Sequence, residues 1–166
     1  MTVKITKPAI NVREKISELD YRHVPYEKMP AGSVIQTVNV SYPTGTFAIS
    51  SGTSNLFSAT IFPKFGNSKI LISGQIASER ITADLGCYYY ANVGRSIAGG
   101  SNTFLHRIAD AIGYQTPQYS RQHGSNTFLD SPNTTSEIEY IVSVDFYGSG
   151  THNIKISALT LMEIKQ

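Results

Sequence analysis

The stretch Glu137-Ile138-Glu139-Tyr140-Ile141-Val142-Ser143-Val144-Asp145-Phe146 decides the fold. Ile138, Tyr140, Val142, Val144 and Phe146 alternate with Glu137, Glu139, Ile141, Ser143 and Asp145. Alternation sustained this long is the period-2 signature of a half-buried antiparallel strand, because successive side chains leave a strand on opposite faces. Two other stretches repeat it. In Ser33–Tyr42, Val34, Val38, Val40 and Tyr42 share one face, and Thr37, Asn39 and Ser41 the other. In Ser68–Ala77, Ile70, Ile72 and Ile76 alternate with Leu71, Ser73, Gln75 and Ala77. Turn clusters at Pro43-Thr44-Gly45, Phe65-Gly66-Asn67, Asn92-Val93-Gly94 and Gly148-Ser149-Gly150 punctuate the chain. About six to eight strands separated in this way predict an all-β antiparallel sandwich or barrel. Only Phe104–Ile112, with Phe104, Ile108 and Ile112 spaced by four, reads as a short helix.

The final strand, Asn153–Ile164, breaks the alternation. Ile154, Ile156, Ala158, Met162 and Ile164 fall on one face, yet Leu159 and Leu161 are apolar on the other. A strand apolar on both faces has both covered. Two covers fit: the amino-terminal arm folded back, or a subunit interface around a symmetry axis, which makes Leu159 and Leu161 the candidate interface residues. The sextet Gly100-Ser-Asn-Thr-Phe-Leu105 recurs unchanged at Gly124–Leu129. Two equivalent turn-into-strand units with Phe104 and Phe128 in the core account for it, a duplicated contact loop being the other reading.

Charge divides the 166 residues. Charged side chains make up 16% of the chain, against about 25% for an average soluble domain. Residues 1–30 hold ten of them, and the remainder holds eight of each sign. With Pro25, Pro30 and Gly32, that shift predicts a docking arm over 1–32 and a β-sandwich body over 33–166. In the arm, Asn11 caps a short helix with Glu14 at its third position. Val12, Ile16 and Leu19 form one apolar stripe on it, the candidate docking residues. So short a helix is marginal alone, so the stripe packs on the body, on another copy or on a docking partner. Tyr21–Pro30 reads as an extended leash.

Composition excludes several functions. A net charge of +2 lacks the basic footprint of a nucleic-acid binder, and no run of 18 apolar residues encodes a membrane helix. The polar amino terminus does not read as a signal peptide. The one cysteine, Cys87, cannot form an internal disulfide and reads as a small core residue. No GxSxG, Walker A, HExxH or GxGxxG motif occurs. His23, His106, His123 and His152 follow no metal-site spacing, although His106 and His123 can meet in space. Glu137 and Glu139 share a solvent face and read as solubility charges guarding an edge. No cofactor, metal or catalytic residue is expected, and the chain reads as a non-enzyme.

Gly86–Ser131 is the richest contact segment, carrying Tyr88, Tyr89, Tyr90, Asn92, Arg95, Arg107 and others that stack on or hydrogen-bond to a ligand. Within it, Tyr114–Ser125 has no apolar residue but tyrosine and reads as an exposed loop. Tyr114, Gln118, Tyr119, Arg121 and His123 are the candidate receptor-binding residues, an ordinary polar loop being the alternative.

Four segments are familiar. Ser58-Ala-Thr-Ile-Phe-Pro-Lys-Phe-Gly-Asn-Ser-Lys-Ile-Leu-Ile72 resembles a stretch recurrent in tail-fibre and other structural proteins of bacteriophages. Met29-Pro-Ala-Gly-Ser-Val-Ile-Gln36 and Leu159-Thr-Leu-Met-Glu-Ile164 resemble the openings and endings of those domains. Pro8-Ala-Ile-Asn-Val-Arg-Glu-Lys-Ile-Ser-Glu-Leu-Asp20 is similar to amino-terminal segments of phage virion proteins. The resemblance leaves 73–158 uncovered, and none of its motifs is catalytic. It implies a virion component with a jelly-roll β-sandwich, commonly a homotrimer, anchored by its amino terminus. The expected function is a short tail fibre or fibre tip at the particle surface that binds a host glycan or protein. A capsid decoration or head-fibre protein is the first alternative and a small polysaccharide depolymerase the second. The expected partners are the chain itself, another virion protein bound through residues 1–32 and the host surface, with no nucleic acid and no membrane insertion.

Overall fold

The computed structural model describes residues 24–41, 47–49, 52–80, 88–112, 121–148 and 152–166. Among these run nine strands: β1 (Val34–Ser41), β2 (Phe47–Ile49), β3 (Gly52–Ile61), β4 (Lys69–Arg80), β5 (Tyr88–Ile97), β6 (Thr103–Ile112), β7 (Arg121–Asp130), β8 (Ile138–Tyr147) and β9 (His152–Ile164). One sheet has the order β1-β9-β4-β7, with β2 also on β9, and the other has the order β3-β8-β5-β6. The antiparallel pairs are nested in sequence. β5–β6 is innermost, then β4–β7, β3–β8 and β1–β9, and successive pairs go to alternate sheets. One long hairpin rolled on itself in this way is a jelly roll, the all-β antiparallel sandwich expected.

The core lies between the sheets. Ile70, Ile72 and Ile76 from β4 meet Val93, Tyr140, Val142 and Val144 from β5 and β8, all fully or nearly fully buried. β9 corrects the reading of its own faces. Leu159 and Leu161 are 0% exposed within the single chain and belong to this core, so neither is available as a trimer contact. The cause is a bulge: Ala77 pairs with Ile156 but Ser78 with Ile154, so one residue of β9 is skipped and the alternation changes phase. Ile154 before the bulge and Ser157, Leu159, Leu161 and Glu163 after it are all buried. Each leucine contributes roughly 1.5–3 kcal/mol by burial.

Phe104–Ile112 is a strand, not a helix. Its pairing with β5 shifts between Ala91 and Asn92 and again between Val93 and Gly94. The first shift turns Ile108 and Ala109 both inward, and a strand with two bulges imitates a spacing of four. The same shifts place Asn92-Val93-Gly94 inside β5 rather than in a turn. Residues 121–125 belong to β7, so the predicted Tyr114–Ser125 loop ends earlier. The two sextets are not equivalent. Gly100–Leu105 leads into β6 with Phe104 62% exposed, whereas Gly124–Leu129 lies wholly within β7 with Phe128 packed on the core. The β5–β6 connection turns at Ala98 and Gly99, whose φ values of 49° and 72° place both in the left-handed region, as in a type I′ hairpin turn.

The leash ends fastened to the body. Tyr26–Lys28 forms a single 3-10 turn, and Lys165 Nζ donates hydrogen bonds to the carbonyls of Tyr26, Glu27 and Met29 at 2.7–3.0 Å. Gly32 N donates to Lys165 O and Lys165 N to Ser33 O, which extends the pairing past β1. The docking stripe Val12, Ile16 and Leu19 lies outside the described residues.

Candidate functional site

Among the described residues, the outer face of β3-β8-β5-β6 carries the densest grouping of exposed aromatic and charged side chains. Register places the residues of this face in rows: Tyr147, Tyr88 and Ile112; then Thr53, Asp145, Tyr90 and Asp110; then Asn55 and Arg107 with Ser143 and Asn92, both largely buried, between them. Alternation puts Tyr88 and Tyr90 outside while Tyr89 between them is buried. The rings of Tyr88 and Tyr147 stack at 5.1 Å with 14° between their planes. Tyr90 meets both edge-on, at 5.5 and 5.7 Å. The Arg107 guanidinium sits 3.6 Å from the centre of the Tyr90 ring and is paired with Asp110 at 3.0 Å. The bulge between Ala91 and Asn92, which skips Ile108, brings Arg107 to the same face as Asp110.

Asp145 anchors the polar side of the face. Its Oδ1 accepts from Thr53 Oγ1 and its Oδ2 from Asn92 Nδ2, each at 2.7 Å. The Thr53 hydroxyl is thereby a fixed donor, with no second base or oxyanion donor arranged around it among the described residues. The three rows hold one guanidinium and two carboxylates, a formal charge of −1. Such a face can stack flat rings and exchange hydrogen bonds with hydroxyls.

Two other charged groups are structural. Arg95 Nη1 contacts both carboxylate oxygens of Asp130 at 2.7 and 2.8 Å, and the buried Tyr140 hydroxyl donates to Asp130 at 2.8 Å, which locks β7 to β5 and β8 across the sandwich. Burial and the neighbouring Asp130 charge push the Tyr140 phenol far above the ordinary tyrosine range. Burial also raises Tyr89, partly offset by its hydrogen bond with Ser78. Arg95, counted with the contact segment in the sequence, is therefore committed internally.

The predicted receptor residues divide. Tyr114, Gln118 and Tyr119 lie outside the described residues. Arg121 opens β7 opposite Glu79. His123 is exposed on the other sheet, opposite Ala77, in a depression of about 290 Å³ lined also by Gln75 and Ser125. The structure does not bring His123 to the tyrosine face. Ile112, the last described residue before the predicted loop, is the register partner of Tyr88. His106 packs on Phe128, with ring centres 4.8 Å apart, and bonds to Asn126. Among the described residues no group of three or more His, Cys, Asp or Glu side chains gathers to hold a metal. Sequence reasoning missed Tyr147, Thr53 and Asp145 as site residues. Asp145 and Tyr147 fall on the solvent-side phase of β8 in the sequence, but only pairing across the sheet brings them and Thr53 beside Tyr88 and Tyr90.

No protein-family model matches the chain, and no curated protein matches its sequence. Among solved structures it is similar to the VP2 subviral particle of infectious bursal disease virus, with a TM-score of 0.55 and 16% identity over 80% of this chain and 34% of the other. It is similar also to the Gt strain of that virus, at TM-score 0.52 and 14% identity, covering 81% of this chain and 38% of that one. The chain thus spans little more than a third of the length of these neighbours, which are viral capsid proteins with a β-sandwich fold. At such identities the likeness is one of fold: the chain shares the jelly-roll sandwich of viral capsid proteins.

Proposed function

We propose that the chain is a non-enzymatic virion structural protein that docks by its amino-terminal arm and displays the sandwich toward a host surface, as a bacteriophage short tail fibre or fibre tip. The observation that carries this reading is the pairing of a capsid-type jelly roll with an exposed recognition face on β3-β8-β5-β6. The charged arm over residues 1–32 supports docking, and the resemblance of Pro8–Asp20 to phage virion segments supports the same role. Self-assembly as a homotrimer belongs to the proposal. With Leu159 and Leu161 inside, the described apolar residues open to such contacts include Val34, Leu71, Leu129, Met162 and Ile164, on the outer face of the opposite sheet, besides the exposed Phe62 and Phe104.

A second reading, a capsid decoration or head-fibre protein, is favoured by the likeness to proteins of icosahedral virus particles. Particles assembled with the full chain and with residues 1–30 deleted separate the two. The fibre reading expects the deletion to abolish incorporation and the purified full chain to adsorb to host cells. Lost incorporation without any adsorption selects decoration. Incorporation unaffected by the deletion contradicts arm docking. Light scattering tests assembly: a mass near three times 18.2 kDa is expected, and 18.2 kDa contradicts the trimer.

A further inference from the structure

Resting on the host-contact reading above, we propose that the tyrosine face is a binding site for an uncharged oligosaccharide, its sugar rings laid on Tyr88 and Tyr147 and its hydroxyls held by Asp145 and Asp110. The C–H face of a pyranose needs a flat apolar partner, and the hydroxyls around its rim need donors and acceptors close to that partner. Both are present. Tyr88 and Tyr147 are 36% and 47% exposed, whereas Tyr89 and Tyr140 on the same two strands are 1% and 0% exposed, so the chain buries the tyrosines it packs and presents these two. Stacking two parallel rings uses one face of each, and their mutual contact fixes both before a ligand arrives.

The charges select the class of ligand. Arg107, the one cation in the three rows, is occupied by the Tyr90 ring and by Asp110, while two carboxylates share the face. An acidic glycan or phosphate meets net repulsion here. Hydroxyl donors meet acceptors instead: a carboxylate offers about four lone-pair sites, and Asp145 spends two on Thr53 and Asn92. A protein partner fits less well, because an interface core draws on contiguous apolar side chains. In register, Ile112 opposite Tyr88 is the single aliphatic residue of these three rows, too little for such a core.

The test titrates the full chain with uncharged hexose oligomers (maltohexaose, cellohexaose, mannohexaose and a galactan hexamer) and with acidic hyaluronate hexamer, following tyrosine emission, which ten Tyr and no Trp make readable. Saturable binding of an uncharged oligomer is expected, weakened roughly tenfold or more by Tyr88→Ala or Tyr147→Ala and nearly retained by Tyr88→Phe, which keeps the ring. Binding of the acidic oligomer alone, binding unchanged in the double alanine variant, or no binding at millimolar sugar overturns the site. Adsorption of labelled chain to host cells separates this inference from the reading beneath it. Adsorption that survives both periodate treatment of the cells and the double variant overturns the sugar site and leaves host contact standing. Sugar binding without adsorption leaves the site standing and overturns host contact.

Discussion

Glu163 Oε1 accepts a hydrogen bond of 2.7 Å from the Ser68 hydroxyl, across 95 residues of sequence. The same oxygen takes the backbone N–H groups of Lys64 and Phe65 at 2.8 and 3.3 Å, and Oε2 takes Gln36 Nε2 at 2.7 Å. Gln36 Nε2 in turn donates to Phe62 O at 2.6 Å. A fully buried carboxylate is tolerable only when its lone pairs are filled. Here the filling binds β1, β9 and the β3–β4 turn into one knot, and Lys165 two residues later holds the leash.

Replacing Glu163 by Ala removes the acceptor of four donors: Gln36 Nε2 keeps Phe62 O, while the buried Ser68 hydroxyl and the Lys64 and Phe65 N–H groups lose this partner. Stability is expected to fall by about 3–5 kcal/mol, read as a lower urea midpoint. Glu163→Gln keeps one acceptor oxygen and is expected to fall between the two.

β1, β4, β8 and β9 were legible in the sequence because long alternation reports a strand whichever sheet receives it. The sandwich was legible for the same reason. What escaped is what bulges decide. The phase change opposite Ala77 and Ser78 hid the inward direction of Leu159 and Leu161, and the two shifts in β5–β6 disguised a strand as a helix. Of the tyrosine face, Tyr88, Tyr90 and Arg107 stood within the predicted contact segment. Tyr147, Thr53 and Asp145 join them only through pairing across the sheet, which one sequence does not display.

Tyr140 and Tyr89 make the fold sensitive to alkali. Both phenols are raised above the ordinary tyrosine value of 10.0, mainly by burial. A raised value means that the folded chain keeps protons the unfolded chain has lost, so their contribution is whole below about pH 10 and declines as pH rises above it. The melting temperature is expected to drop between about pH 10 and 11, and less steeply in Tyr140→Phe, which has no proton there to lose. An equal slope in wild type and variant contradicts this account.

Ala98 occupies a left-handed position, with φ of 49°, at a cost of about 1 kcal/mol for a residue other than glycine or asparagine. It is exposed, so substitution disturbs no packing. Ala98→Asn, which yields the Asn-Gly pair that such turns favour, is expected to stabilise the chain by about 0.5–1 kcal/mol in urea unfolding.

Two strand glycines are predicted to differ. A methyl at Gly124 collides with the Ala109 side chain and comes within 3.0 Å of its Cα, so backbone must move. A methyl at Gly74 meets the tip of Ile108 at 2.8 Å, and that side chain can turn away. Gly124→Ala is expected to cost about 2–3 kcal/mol and Gly74→Ala about 1, by thermal or urea unfolding. The reverse order contradicts the described closeness of β6 and β7.

Which way the sandwich faces on the particle decides the proposed role. A cryo-electron microscopy map of the intact particle measures that directly. It is expected to show the residues before Val24 entering the particle and the Tyr88, Tyr90 and Tyr147 face turned outward to solvent. A map with that face sealed against another virion protein, or a particle without this chain, contradicts it.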